Sequence, residues 1–455
     1  MPSSNVFIAH VKTVGPSPKP PRAAADTAAA AERMTVELEG GQTAVLPPGR
    51  HARTWRAMLE HTRLYRIPAY VETDPETNVI TRVLIPMRAT VVAIEQVAGG
   101  DFDVRFIESQ AGHHLLRSNP DFLDMLNALE AARDAGTPAL VTSTRDEHEI
   151  IDVRPIPPPP PWPADGAPPS GELSEDPPPS VVSEAQAAQL FNDMAATSCN
   201  PAAIAAPCIP FLYANDGCYA RAHEMIRLMR LQSIEGEKIW IFASSDSNLK
   251  PATANSPACG VSWWYHVAPT LQVNTSSGIE KRVIDPSLMS GPATSDAWRT
   301  RQNDPAATFQ FTDAQPFWPN NGGNDDDYTL TNQYLQEKRV YLQDQIDDYG
   351  PPPYACPIVK QLQFILDRST FGQDEITAML QSANPAVIES ALYITLDGFT
   401  PQEIGITSAT PTDPPTLKPA LNINPSVAQM EIKAVATPHP SEKLAEATSR
   451  RGSSP

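Results

Sequence analysis

The sequence predicts a multidomain α+β protein, and three observations carry that prediction. The chain has 455 residues, enough for two or three domains that each bury a core. It holds 49 prolines, more than one compact domain accommodates, so ordered parts are expected to be separated by stiff or disordered segments. Between the proline-rich stretches, short apolar runs of strand character are interleaved with apolar residues at helical spacing. With 34 basic against 53 acidic residues the formal charge is −19. Such a surface repels phosphate backbones and anionic headgroups, which excludes nucleic-acid and membrane binding as the main activity. No run approaches the roughly 20 apolar residues of a membrane span, and the N-terminus has no apolar core after a basic start, so no Sec signal peptide is read.

Residues 1–33, rich in Pro, Ala and Ser, read as a disordered arm. Residues 34–154 read as a small α+β domain. Val83–Ile85, Thr90–Ile94, Asp103–Ile107 and Ala139–Thr142 are its expected strands, with a turn at Ala98–Asp101. Phe122, Met125, Leu126 and Leu129 mark a helix that Gly136 closes. Residues 155–180 contain 12 prolines and form an expected extended linker. A catalytic domain is expected over 181–350, a small helical region over 351–406 and a disordered tail over 407–455. No internal repeat is found.

The chemistry concentrates in 181–350. In Asp216-Gly217-Cys218-Tyr219-Ala220-Arg221-Ala222-His223, Asp216 reads as the N-cap of a helix whose buried stripe is Ala222, Met225, Ile226 and Met229. Cys218 then lies in the first turn, where free amide N–H groups and the helix dipole favour thiolate. His223 lies roughly 140° around the helix from Cys218, so it reads as structural. His266, in the aromatic and β-branched run Val261–Ala268, is the candidate base. Asp285 follows it by 19 residues, at the end of a neighbouring strand Lys281–Ile284, where a carboxylate fixes the imidazole tautomer. A helix-borne nucleophile, a strand-borne base and an acid at a strand end make the arrangement of papain-like and transglutaminase-like cysteine enzymes.

Three blocks in order, Asp216–His223, Trp263 with Tyr265-His266-Val267-Ala268, and Ile284-Asp285-Pro286-Ser287-Leu288 with Gly291-Pro292 and Trp298, resemble bacterial protein glutaminase, the protein-glutamine deamidases. The resemblance spans about 181–301. It implies hydrolysis of glutamine side-chain amides in proteins and peptides through a thioester, without metal or organic cofactor, with Cys218, His266 and Asp285 as nucleophile, base and acid. The Cys218 N–H is the expected oxyanion donor, and Trp263 and Tyr265 are expected cleft walls. Cys199 and Cys208, inside the matched stretch, are an expected disulfide. The family's inhibitory pro-segment precedes the catalytic domain, the position held here by 34–154. That region carries no motif of the family, and three roles stay open for it: blocking the cleft, recognising a partner, or delivery. Transglutaminase and cysteine protease use the same triad and stand as alternatives, as does a delivered effector or toxin that deamidates one partner protein. His113-His114 and Asn324–Asp327 lack metal-ligand spacing, and Ser287 reads as turn chemistry.

Overall fold

The computed structural model describes residues 5–16, 34–161, 178–244, 248–257, 260–320 and 322–354. The expected C-terminal helical region and tail, and most of the proline-rich linker, lie outside the described residues. Two compact units form. The smaller comprises 250–261 and the chain from 353; within it Tyr354 N donates to Asn255 O (2.8 Å) and Val261 N to Pro251 O (3.1 Å). Everything below concerns the larger unit. No helix among the described residues is long and apolar enough to cross a membrane.

The chain begins with an antiparallel sheet. Strands β1 (Asn5–Pro16), β2 (Met34–Leu38) and β3 (Thr43–Leu46) lead to helix α1 (Ala52–Leu64), then β4 (Pro68–Thr73) and β5 (Ile80–Leu84). The sheet order β3-β2-β1-β4-β5 puts β1 in the centre. This corrects the expected disordered arm over residues 1–33 at Asn5–Pro16; residues 1–4 and 17–33 lie outside the described residues. Asn5–Pro16 carries enough β-branched and aromatic residues to pair both edges, with β2 on one side and β4 on the other. The proline- and alanine-rich composition of the residues after it conceals that signal.

The second part holds β6 (Met87–Ala89), β7 (Val91–Gln96), β8 (Phe102–Phe106), β9 (Gly112–Leu115), helix α2 (Phe122–Ala135), β10 (Ala139–Ser143) and β11 (Ile150–Arg154). These make two small sheets, β7-β8-β9 and β11-β10-β6. All four strands expected between residues 83 and 142 fall on observed strands, and Gly136 ends α2 in the left-handed conformation at φ 62°.

The structure also overturns the statement that the chain has no repeat. The unit hairpin–helix–hairpin occurs twice, as β2-β3-α1-β4-β5 and as β8-β9-α2-β10-β11. In the second hairpin of each copy, Pro68-Ala69-Tyr70-Val71 matches Pro138-Ala139-Leu140-Val141. The turn residues Asn78 and His148 both adopt positive φ, 56° and 51°, and stand 148 − 78 = 70 residues apart. The copies differ at the first hairpin: residues 39–42 join β2 to β3, whereas 107–111 make a longer connection from β8 to β9.

The third part contains β12 (Val181–Ser183), α3 (Glu184–Ala196), α4 (Cys218–Leu231), β13 (Glu237–Phe242), β14 (Tyr265–Thr275), β15 (Gly278–Val283), α5 (Ser295–Arg301), β16 (Thr308–Thr312) and α6 (Thr329–Tyr349). The sheet runs β12-β14-β13-β16, with β15 also on β14. Helix α3 starts at a reciprocal capping box between Ser183 and Gln186. Helix α4 buries its expected stripe, and its other side is buried as well because α6 packs there. The α6 helix is shared: Tyr334 and Leu335 join the core under β14, while Val340, Tyr341 and Leu342 join the core under the first sheet. The two regions joined by the proline-rich linker are therefore packed on each other. Asp325, within the Asn324–Asp327 run, is buried and caps α6 by accepting from Leu330 N (2.9 Å) and Thr331 N (2.7 Å).

Two buried histidines couple this packing to pH. Burial, reinforced by Lys338, pulls His61 down to about 3, and burial pulls His148 down to about 4. Both titrate lower in the folded protein than in the unfolded chain, so the unfolded chain takes up their protons first as pH falls. Their contribution is intact above the unfolded value near 6.5 and is lost progressively as pH drops toward their folded values. By about pH 4.5 the expected loss is about 2–3 kcal/mol for each. Urea melts across this range check it, and His148→Gln is expected to make the decline shallower.

Candidate active site

The turn before Cys218 is built by Gly217. Its φ of 90° suits glycine, and a Cβ there would stand 2.8 Å from Lys338 Cγ. Gly217 is the residue that precedes the helix, in place of the expected Asp216 cap. Asp216 instead accepts from Gly217 N (2.7 Å) and from Lys338 Nζ (3.0 Å). Cys218 is thus the first helical residue, buried, with a main-chain N–H that has no partner inside the helix.

His266 lies in β14 opposite Ile241 of β13. Its Nε2 meets Asp285 Oδ2 at 2.9 Å, and both residues are buried. Asp285 lies two residues beyond the end of β15 and is fixed by two further donors: Trp298 Nε1 donates to the same Oδ2 (2.8 Å), and Ser287 N donates to Oδ1 (3.0 Å). An ionised Asp285 makes Nε2 the protonated nitrogen and leaves Nδ1 as the open acceptor; Nδ1 has no hydrogen-bond partner among the described residues. The Trp263 ring stacks on the imidazole, centroids 4.5 Å apart. Cys218 adjoins the same strand through the N–H of Val267, which bonds its sulfur.

Burial works against charge on both Cys218 and His266. Burial pushes the Cys218 thiol well above its usual range, with Arg221 and the Val267 N–H opposing it and Asp216 and Asp285 adding to it. Burial also lowers His266, against the pull of Asp285. Arg221 is itself buried, donating to Tyr213 O (2.9 Å) and Asp216 O (2.7 Å). His223 is structural, as expected: Nε2 bonds Asp325 O (3.0 Å), and Lys238 Nζ donates to Nδ1 (2.7 Å).

The connection 107–111 lies across this site. Gln110, wholly buried, accepts the Cys218 N–H on Oε1 at 2.6 Å. Its N donates to Asp216 Oδ1 (3.1 Å), and its O accepts from Trp264 N (2.9 Å). Trp264 Nε1 donates to Ser109 O (2.7 Å), Tyr265 OH donates to Ile107 O (3.2 Å), and Ala111 makes an antiparallel bridge to Trp263. Of the two expected walls, Trp263 therefore supports His266 from behind while Tyr265 holds the crossing segment. The sequence did not reveal the parts played here by Trp264, Arg221 and Gln110, and it read Asp216 only as a helix cap. Asp216 and Arg221 sat inside the quoted motif, but nothing in the sequence ties Gln110 to a cysteine 108 positions away.

Cys199 and Cys208 are joined, with S–S at 2.06 Å. His113 Nε2 bonds Ser109 Oγ (3.0 Å), and His114 Nδ1 bonds Asp103 Oδ1 (2.7 Å). The two rings take separate partners, and no group of three potential metal ligands occurs among the described residues.

A family model described as glutaminase matches residues 187–302. A solved structure of protein-glutaminase is 33% identical, with 36% of this chain covering 90% of that one, TM-score 0.31. The protein-glutaminase from Chryseobacterium proteolyticum is 34% identical, with 34% of this chain covering 86% of that one, TM-score 0.30. A pro-protein-glutaminase structure is 25% identical, with 56% of this chain covering 93% of that one, TM-score 0.45. No curated protein matches.

Proposed function

The chain belongs, through its catalytic region, to the protein-glutaminase family and is a hydrolase of carboxamide C–N bonds; from this premise we propose that it deamidates protein-bound glutamine through a Cys218–His266–Asp285 triad on a papain/transglutaminase-like core. One observation carries the reading: a glutamine carboxamide oxygen already sits on the Cys218 N–H, where an oxyanion would form, and the strand packed against the Cys218 helix carries a histidine held by a buried aspartate.

Cys218 Sγ attacks the carboxamide carbon while His266 Nδ1 takes the thiol proton. The developing oxyanion is held by the Cys218 N–H. The imidazolium, stabilised by Asp285, passes its proton to the departing ammonia, leaving a thioester. His266 then activates water against that thioester, releasing glutamate. Trp264 and Asp216, which grip the backbone of 107–111, serve an incoming extended substrate segment in the same way. Residues 34–154 supply the segment that covers the cleft, so the described form is a latent one.

The test is ammonia release from a glutamine-containing protein, with the substrate's intact mass followed in parallel. The expected result is ammonia with an uncut, uncross-linked substrate, abolished by Cys218→Ala. Cut chains would point to a protease and cross-linked products to a transglutaminase.

A further inference from the structure

The main-chain contacts that 107–111 makes with Asp216, Trp263, Trp264 and Tyr265 are ones that a bound substrate segment would make, and the residue delivered to Cys218 is a glutamine. Gln110 is not merely a plug. Its Oε1 occupies the position of a scissile carboxamide oxygen at 2.6 Å from the Cys218 N–H. Its buried Nε2 has no partner among the described residues, so no hydrogen bond holds the leaving group. His266 Nδ1, on the strand packed against the Cys218 helix, is equally buried and without a partner among the described residues. We propose that Gln110 is the first substrate of this enzyme: Cys218 deamidates it within the same molecule, and the glutamate so formed at that position loosens the covering segment.

The proposal rests on the deamidase reading. In the step, a bond forms between Cys218 Sγ and Gln110 Cδ, and the thiol proton moves through His266 Nδ1 to Nε2 of the carboxamide. The Cδ–Nε2 bond breaks and ammonia leaves. Water, deprotonated by His266, then adds to Cδ. The C–S bond breaks and the proton returns to sulfur. The balance is carboxamide plus water giving carboxylic acid plus ammonia, with no oxidant or reductant.

The consequence follows from charge. Gln110 is neutral and wholly buried, and its own N–H is held by the Asp216 carboxylate at 3.1 Å. A carboxylate at residue 110 would be buried beside Asp216 with a single amide donor to compensate it, which opposes burial. Loss of that side chain from the site would remove the contact with the Cys218 N–H and leave the connection on the site through its bonds to Asp216, Trp264 and Tyr265 and the bridge at Trp263. One turnover thus converts a seated substrate into a rejected product on the same chain.

The full-length protein decides the matter by peptide mass analysis of residue 110, alongside ammonia release from a separate glutaminyl peptide. The expected result is Glu at residue 110 in the wild-type chain and Gln in Cys218→Ala, with a converted fraction independent of protein concentration. Release from the peptide is expected to show a lag that ends as residue 110 converts, and Gln110→Glu should show no lag. Should residue 110 stay Gln while the peptide is deamidated by the wild type or by Gln110→Glu, self-deamidation is overturned and the deamidase reading stands. Conversion whose rate rises with protein concentration would overturn the intramolecular step. If residue 110 stays Gln and neither form acts on the peptide, the deamidase reading fails and takes the proposal with it.

Discussion

Replacing Asp285 with Asn is expected to lower kcat for ammonia release by about 10³–10⁴-fold, the size of loss that a wrong imidazole tautomer produces in catalytic triads. The carboxylate here accepts from three N–H groups: His266 Nε2 and Trp298 Nε1 on Oδ2, and Ser287 N on Oδ1. An asparagine amide has one oxygen to offer. With that oxygen toward His266 and Trp298, its NH₂ confronts the Ser287 N–H. With the amide turned over, its NH₂ faces two donors, and His266 must carry its proton on Nδ1, the nitrogen that has to receive the thiol proton. Neither orientation satisfies the site. The expected signature is a kcat loss with little change in KM, because Asp285 makes none of the contacts that hold the segment seated over Cys218. Activity of Asp285→Asn within tenfold of wild type would remove Asp285 from the triad.

How much of this was legible in the sequence depended on whether the signal was local. The α4 stripe and the turn from β14 to β15 are written in short-range spacing, so Cys218, His266 and Asp285 could be read from the residues and from the family resemblance. The α2 helix and its Gly136 cap were legible for the same reason. The β1 strand was not, because its partners β2 and β4 lie beyond a proline- and alanine-rich stretch that dominates the composition. The 70-residue repeat escaped because its match is carried by the short Pro68–Val71 and Pro138–Val141 stretches and by turn residues such as Asn78 and His148. Gln110 escaped for a stronger reason. Its neighbours Ser109 and Ala111 carry no pattern, and its meaning comes entirely from the site on which the β8–β9 connection lands.

Lys338 shows the same non-local logic in energetic form, and Lys338→Met is expected to cost about 3–5 kcal/mol of stability, the range seen when one partner of a buried ion pair is removed. Its Nζ donates to Asp216 Oδ2 (3.0 Å) and Glu337 Oε1 (2.7 Å) while almost fully buried. Burial alone would pull its pKa down, but the Asp216 and Glu337 carboxylates outweigh that and hold it above the usual lysine value. Burial likewise works against an ionised Asp216, and Lys338 is the chief group that keeps it below the usual carboxylate range. Methionine retains the stem that packs on Gly217 but strands the Asp216 charge. Asp216 in turn holds the Gly217 N–H and the Gln110 N–H, so the nucleophile turn and the covering segment are both expected to loosen. Denaturant melts measure the loss, and alkylation of Cys218 in the native protein should become faster. Adding Asp216→Asn removes the stranded charge and should recover part of the stability, giving a favourable coupling energy between the two sites. Strict additivity of the two single losses would show that the pair does not act as a unit, and that α6 supports the cysteine turn by packing alone.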